Sequence, residues 1–229
     1  MDLRQRVLRR SPFVTRTLNA MLGAAVVLFV HAIVRQNLSG DWLRQWPWSW
    51  QLLDVQSATA GLLGSVGAVV ARAQYARTVQ PLLGLIAWVA DDQAPGGVLA
   101  WASFLTNNGN DAVVLRSIEY RVDFMDPADP RTPPTTTGWV DRAGVIAAAG
   151  ARGLSSGRHY HFTSTGPNAV LAGGVRMRLA WFAEPALATI VDVYVRVAVL
   201  DRVGDLHQRT VSCLVDAERV PTHVIPSPI

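Results

Sequence analysis

The 229 residues include 21 arginines, no lysine, 17 acidic side chains and a single cysteine, and half of them are hydrophobic. The basic excess is confined to residues 1–79, where nine arginines face Asp2, Asp41 and Asp54; residues 80–229 hold twelve arginines against fourteen acids. A nucleic-acid footprint needs basic residues clustered on a folded domain and an internal disulfide needs two cysteines, so composition argues against the first and rules out the second.

Residues 1–16 form a basic amino-terminal segment, with Arg4, Arg6, Arg9, Arg10 and Arg16 and only Asp2 opposing. Two apolar stretches follow, 18–34 and 57–71. The first would make about 25 Å of helix at ~1.5 Å per residue, the lower edge of a bilayer span. Arg16 and Arg35 extend its reach by snorkelling to the headgroups. The second stretch is too short alone, so its helix is expected to begin near Trp50 or Leu52. Together, residues 17–75 read as a membrane hairpin of two transmembrane helices. Gly61, Gly64 and Gly67, with Ala68, put small residues at three- and four-residue spacing, which lets helix backbones approach closely. That face is expected to pack on Gly23 and its alanine neighbours in the first span, or against a second copy. The link between the spans carries Trp42, Trp46, Trp48 and Trp50, rings suited to the membrane interface. Arginine is concentrated before the first span and after the second, at Arg72 and Arg77, while the link holds only Arg35 and Arg44. By the positive-inside rule both termini are cytosolic. The absence of a small-x-small cleavage site after Val34 argues against a removable signal peptide.

From residue 80 to 218 the texture changes to short runs rich in β-branched and aromatic residues, separated by turn residues. Runs at 82–89, 98–105, 112–124, 175–182 and 189–200 read as strands, with shorter ones at 159–164 and 209–215. Asn107-Asn108-Gly109-Asn110 offers residues that tolerate positive φ between the second and third runs, and Gly204 centres a turn between the last two. Residues 126–138 read as a Pro- and Thr-rich loop, 140–151 as a short helix, and 219–229 as an extended tail. About seven such strands predict an antiparallel β-sandwich or small β-barrel. Cys213, inside an apolar run, reads as a small core residue.

The Asn107–Asp111 turn before Ala112, and the later Tyr194…Asp201-x-x-Gly204 stretch, resemble features of uncharacterised bacterial proteins that place two transmembrane helices before a β-sandwich. Here Asp111 stands where those proteins carry Gly-Pro. The resemblance implies architecture and no activity. In layout the chain is also similar to the two-helix, β-barrel membrane effectors of cyclic-oligonucleotide antiphage systems. That likeness implies a cyclic nucleotide as ligand and oligomerisation through the helices, but it carries no residue over.

Few side chains point to chemistry. His159 and His161 would share one strand face, where two imidazoles suit a metal, with His207, Asp192 or Asp201 as third ligand; a solvated histidine pair is the commoner outcome. Arg176 and Arg178 also share a face, with Arg158 as a neighbour, and paired guanidinium groups suit phosphate or carboxylate. No nucleophile elbow, zinc helix, phosphate loop or fixed pair of acids is present, and no cofactor is expected. The expectation is a bacterial inner-membrane protein with a cytosolic, non-catalytic β domain for binding or assembly. Its partners would be the bilayer and another protein or a second copy. The alternative is a nucleotide-switched effector.

Overall fold

The structure, a computed structural model, describes residues 4–38, 52–126 and 132–226. It divides into two units: Arg10–Thr78, which is helical, and Met1–Arg9 with Val79–Ile229, which is β-rich.

In the helical unit, α1 spans Pro12–Asn37 and α2 spans Val55–Thr78. Proline opens α1, where its missing N–H is one the first turn leaves unbonded anyway. Asp54 starts α2: its Oδ1 accepts the Ser57 amide at 2.7 Å, satisfying one of the helix's unpaired donors. That cap places the start of α2 after Asp54, later than the tryptophan-rich stretch suggested. The helices run together, burying Ala32 and Ala58. At ~1.5 Å per residue both are long enough for a bilayer, but α1 is the one described helix that is also sufficiently apolar. Gln56, Gln74, Arg72 and Arg77 dilute α2. A second span is therefore not established by composition.

The β unit begins earlier in the chain than expected. Residues Arg6–Arg9, read from sequence as part of a basic tail, form strand β1. The further strands are β2 (Leu83–Ala90), β3 (Ala100–Asn107), β4 (Val113–Phe124), β5 (Thr135–Thr136), β6 (Tyr160–Phe162), β7 (Val170–Leu171), β8 (Arg176–Ala183), β9 (Ile190–Leu200) and β10 (Leu206–Ser212). Short helices α3 (Arg142–Gly150) and α4 (Glu184–Thr189) interrupt them. One antiparallel sheet has the order β1-β10-β9-β4-β5, with β7 also on β4; the other has the order β2-β3-β8-β6. One hydrophobic core draws on both sheets, with Leu83, Val89 and Phe182 from one and Val122, Val195 and Val211 from the other. Across it, the Trp101 indole and the Ser103 hydroxyl both donate to the Cys213 carbonyl, at 2.9 and 3.0 Å.

Strand β9 shows why the sequence pairs this way. Val193, Val195, Val197 and Val199 are fully buried while Asp192, Tyr194 and Arg196 alternate with them on the outer face, the period of two that a pleated strand imposes. In β4 the pairing slips between Leu115 and Ser117. The inward set therefore changes from Val113 and Leu115 to Tyr120, Val122 and Phe124, as one extra residue must make it do.

The asparagine-rich turn works differently from expectation. It crosses from one sheet to the other, and none of its residues adopts a positive φ. The Asn107 side chain holds it instead: Oδ1 accepts the Gly109 amide at 3.1 Å, and Nδ2 donates to the Asp111 and Leu171 carbonyls at 2.8 and 3.3 Å. Gly173 packs against this turn so closely that a Cβ there would lie 2.5 Å from the Gly109 carbonyl oxygen. The β9–β10 turn follows expectation, with Gly204 at φ 81°.

Phe162 lies at the centre of the core, its ring 5.0 Å from Tyr120 and 5.6 Å from Phe182. Phe162→Ala should lower unfolding stability by about 3–5 kcal/mol, as buried ring deletions do. Val7→Ala, on an exposed edge strand, should change it by less than about 0.5 kcal/mol. Denaturant unfolding of both variants in a neutral detergent checks the contrast; equal effects would mean that Phe162 is not packed as described.

Candidate functional site

The outer face of the β1-containing sheet gathers positive charge. In the register of that sheet Arg6 lies opposite Gln208, Thr210 opposite Arg196, Arg196 opposite Glu119, and Arg121 opposite Tyr194. Alternation turns these side chains away from the core. Arg4, Arg6, Arg121 and Arg196 then line one pocket of about 160 Å³ with Trp139, Gln208 and Thr210.

The geometry is partly self-satisfied. Arg196 Nη1 donates to Glu119 Oε2 at 3.1 Å, and its guanidinium lies 3.8 Å from the Trp139 ring centre. Arg121 sits 4.6 Å over the Tyr194 ring and pairs with Asp123 at 3.5 Å, while its buried Nε has no hydrogen-bond partner among the described residues. Arg6 donates twice to Gln208 Oε1, at 3.0 and 3.3 Å. Burial first, then the Asp192 carboxylate nearby, raise the Tyr194 phenol above its ordinary range. Asp192 is itself held by Ser212 Oγ at 2.6 Å and by the Val193 and Leu214 amides. Four guanidinium groups thus share this face with the carboxylates of Glu119, Asp123 and Asp192.

Arg176 and Arg178, singled out from sequence, do share one face, on the outside of the other sheet. Arg178 Nη1 donates to Gln93 Oε1 at 3.1 Å and Arg176 lies over Trp88 at 5.2 Å. That face is apolar: Trp88 stacks on Phe104 at 4.3 Å, beside buried Ala100, Ala102 and Trp181. Arg158 does not join them. It lies in the turn before β6, at the Ala183 end of β8, while Arg176 is at the other end. The three arginines therefore do not converge.

The histidines also separate. His159 Nδ1 accepts the Ser155 amide at 3.1 Å, and His161 stacks along Trp181. His207 is buried against Asp201 at 2.9 Å, and Asp201 also accepts the Val203 and Asp205 amides, so this pair holds the β9–β10 turn. No group of three metal-type ligands occurs among the described residues.

In the helical unit, Gly23, Gly61, Gly64 and Gly67 each face open space where a Cβ would stand, and Ala68 is exposed. Gly61 and Ala58 of α2 line one groove of about 250 Å³ with Met21, Ala24 and Leu28 of α1. Trp42, Trp46, Trp48 and Trp50 lie outside the described residues.

Sequence reading passed over the arginine pocket for a specific reason. Arg4 and Arg6 show the same two-residue spacing as Arg176 and Arg178, but their place before an apolar span made them read as topology signals. Their partners Arg121 and Arg196 are more than a hundred residues away and meet them only through pairing.

No family model matches the chain, and no curated protein matches it. Among solved structures it is similar to an ApaA protein from Bordetella pertussis, at 12% identity over 58% of this chain and 88% of that one, with a TM-score of 0.27. A likeness at that level carries no argument.

The buried groups can be checked in solution. Cys213 is fully buried and burial, then nearby Asp192, push its thiol well above its ordinary range, so a thiol reagent should leave it unmodified in the folded protein and label it on denaturation; rapid labelling of the native chain would contradict its placement. Burial, then Arg178 and Arg142, hold the His161 imidazole below its ordinary 6.5. Just below that pH the unfolded chain binds a proton that the folded chain refuses, so stability falls as pH drops through that window. His161→Gln should flatten this part of the stability–pH curve, measured as unfolding midpoints between about pH 5 and 7; an unchanged slope would assign the loss elsewhere.

Proposed function

We propose that this chain is a membrane-anchored binding module. In this reading α1 and α2 form a transmembrane hairpin in a bacterial inner membrane, and the β unit works on the cytosolic side without catalysis. The observation that carries the reading is the pairing of β1 with β10. Residues ahead of α1 and residues after α2 belong to one folded unit, so a chain that leaves through α1 must come back. If α1 crosses, α2 is the return, although it is the less apolar of the two. A second helix of modest hydropathy is tolerable in that role, because its small residues let it pack on a neighbour inside the bilayer. The arginine balance orients the hairpin, since positive flanks stay on the cytosolic side.

The nucleotide-switched effector is the second reading, and one observation favours it. Gly23, Gly61, Gly64 and Gly67 are uncovered among the described residues, which suits helix contacts between copies.

Buried Cys213 leaves a silent background for labelling. Single cysteines are introduced at Asn37, at the end of α1, and at Thr222, which is exposed on the tail. With an impermeant maleimide on intact bacterial cells, Asn37→Cys should react from outside and Thr222→Cys only after lysis. Reaction of both from the same side would defeat the hairpin.

A further inference from the structure

We infer that the pocket lined by Arg4, Arg6, Arg121 and Arg196 receives a phosphoryl group, and that the bound group ties β1 to the body of its sheet. The lining selects an oxyanion. Four guanidinium groups meet there, the buried Nε of Arg121 has no hydrogen-bond partner among the described residues, and the nearby carboxylates of Glu119, Asp123 and Asp192 are already held by Arg196, by Arg121 and by the Ser212 hydroxyl with two backbone amides. Guanidinium donors also fit the tetrahedral oxygens of phosphate through paired N–H groups. The size agrees. At about 160 Å³ the pocket is roughly half the ~300 Å³ at which sites for whole small molecules begin, so it holds one charged group with any remainder of the ligand outside.

Where the arginines come from gives the binding a consequence. Arg121 and Arg196 stand on β4 and β9, inside the sheet. Arg6 is on β1, an exposed edge strand held by one neighbour with an irregular register between Val7 and Arg9. Without an anion these like charges oppose the docking of β1; with one, the same charges bridge to it. Only Arg10 and Ser11 separate β1 from α1, so occupancy of the pocket governs how firmly the chain just ahead of the first helix is held. The assignment rests on reading the β unit as a binding module and not on its membrane placement, so the labelling experiment and the one below fail separately.

The full chain in a neutral detergent is titrated with inorganic phosphate and, in parallel, with short-chain phosphatidic acid against phosphatidylcholine of the same chain length. Sodium chloride holds the ionic strength constant. The expected result is a saturable rise in the unfolding midpoint of about 3 °C or more, with slower hydrogen exchange at the amides of residues 6–9. Arg6→Gln and Arg196→Gln should each raise the half-saturating concentration about tenfold or more, the scale of one charge-assisted hydrogen bond. Arg196→Lys, which keeps the charge and loses the fork, should fall between, and Arg178→Gln on the other sheet should change nothing. A response to both probes or to phosphate alone assigns a soluble phosphoryl ligand; a response to phosphatidic acid alone assigns a lipid headgroup. No saturable rise with either probe overturns the assignment, as does a rise that Arg6→Gln and Arg196→Gln leave intact.

Discussion

The pairing of β1 with β10 is the contact on which the rest of this chain depends. Arg6 and Gln208 are neighbours across that ladder although two helices and most of the β unit lie between them in sequence. Gln5 reinforces the closure, its side-chain nitrogen donating to the Pro81 carbonyl and its oxygen accepting the Leu83 amide. The helical unit is therefore an insertion into a β fold, with strands of that fold on both sides of it in sequence. Both ends of that insertion are bound to one unit.

The same closure creates the polar face. A sheet of this kind packs one side on the core and leaves the other to solvent, so its strands alternate in character. Beyond the slip at Leu115–Ser117, β4 and the facing part of β9 follow this rule, with Tyr120, Val122, Val193 and Val195 inward and Arg121, Asp123, Tyr194 and Arg196 outward. Adding β1 at the edge brings Arg6 alongside them. The outer face of the second sheet departs from this rule. Its tryptophans, Phe104 and alanines are buried, and the Ile225 amide in the tail bonds to the Val89 carbonyl at its edge. Arg176 and Arg178 there border packed aromatic surface, which explains why the arginine pair most visible in the sequence is not the pair that converges.

Several elements were legible from sequence because their causes are local. The long strands, the helix at Arg142–Gly150 and the Gly204 turn follow from alternation, an Asp141 cap and a residue that accepts positive φ. The Asn107 turn was located correctly but its mechanism was not, since the side chain of Asn107 bonds to Leu171, a residue 64 positions away. Strand β1 was missed outright: four residues with two arginines carry too little alternation to stand out, and what makes them a strand is the open edge of β10.

By itself the sequence determined the address of its apolar and charged segments: one helix fit for a bilayer, arginine on its flanks, and a β-rich remainder built on alternating strands. Those properties are set by side-chain hydrophobicity and by near-neighbour geometry along the chain. Only the tertiary structure decided which arginines share a pocket, that residues 6–9 belong to the β unit, and that the Asn107 turn joins two sheets. Each of these depends on hydrogen bonds between segments far apart in sequence, or on the edge another strand leaves open, and no window along the chain contains both partners.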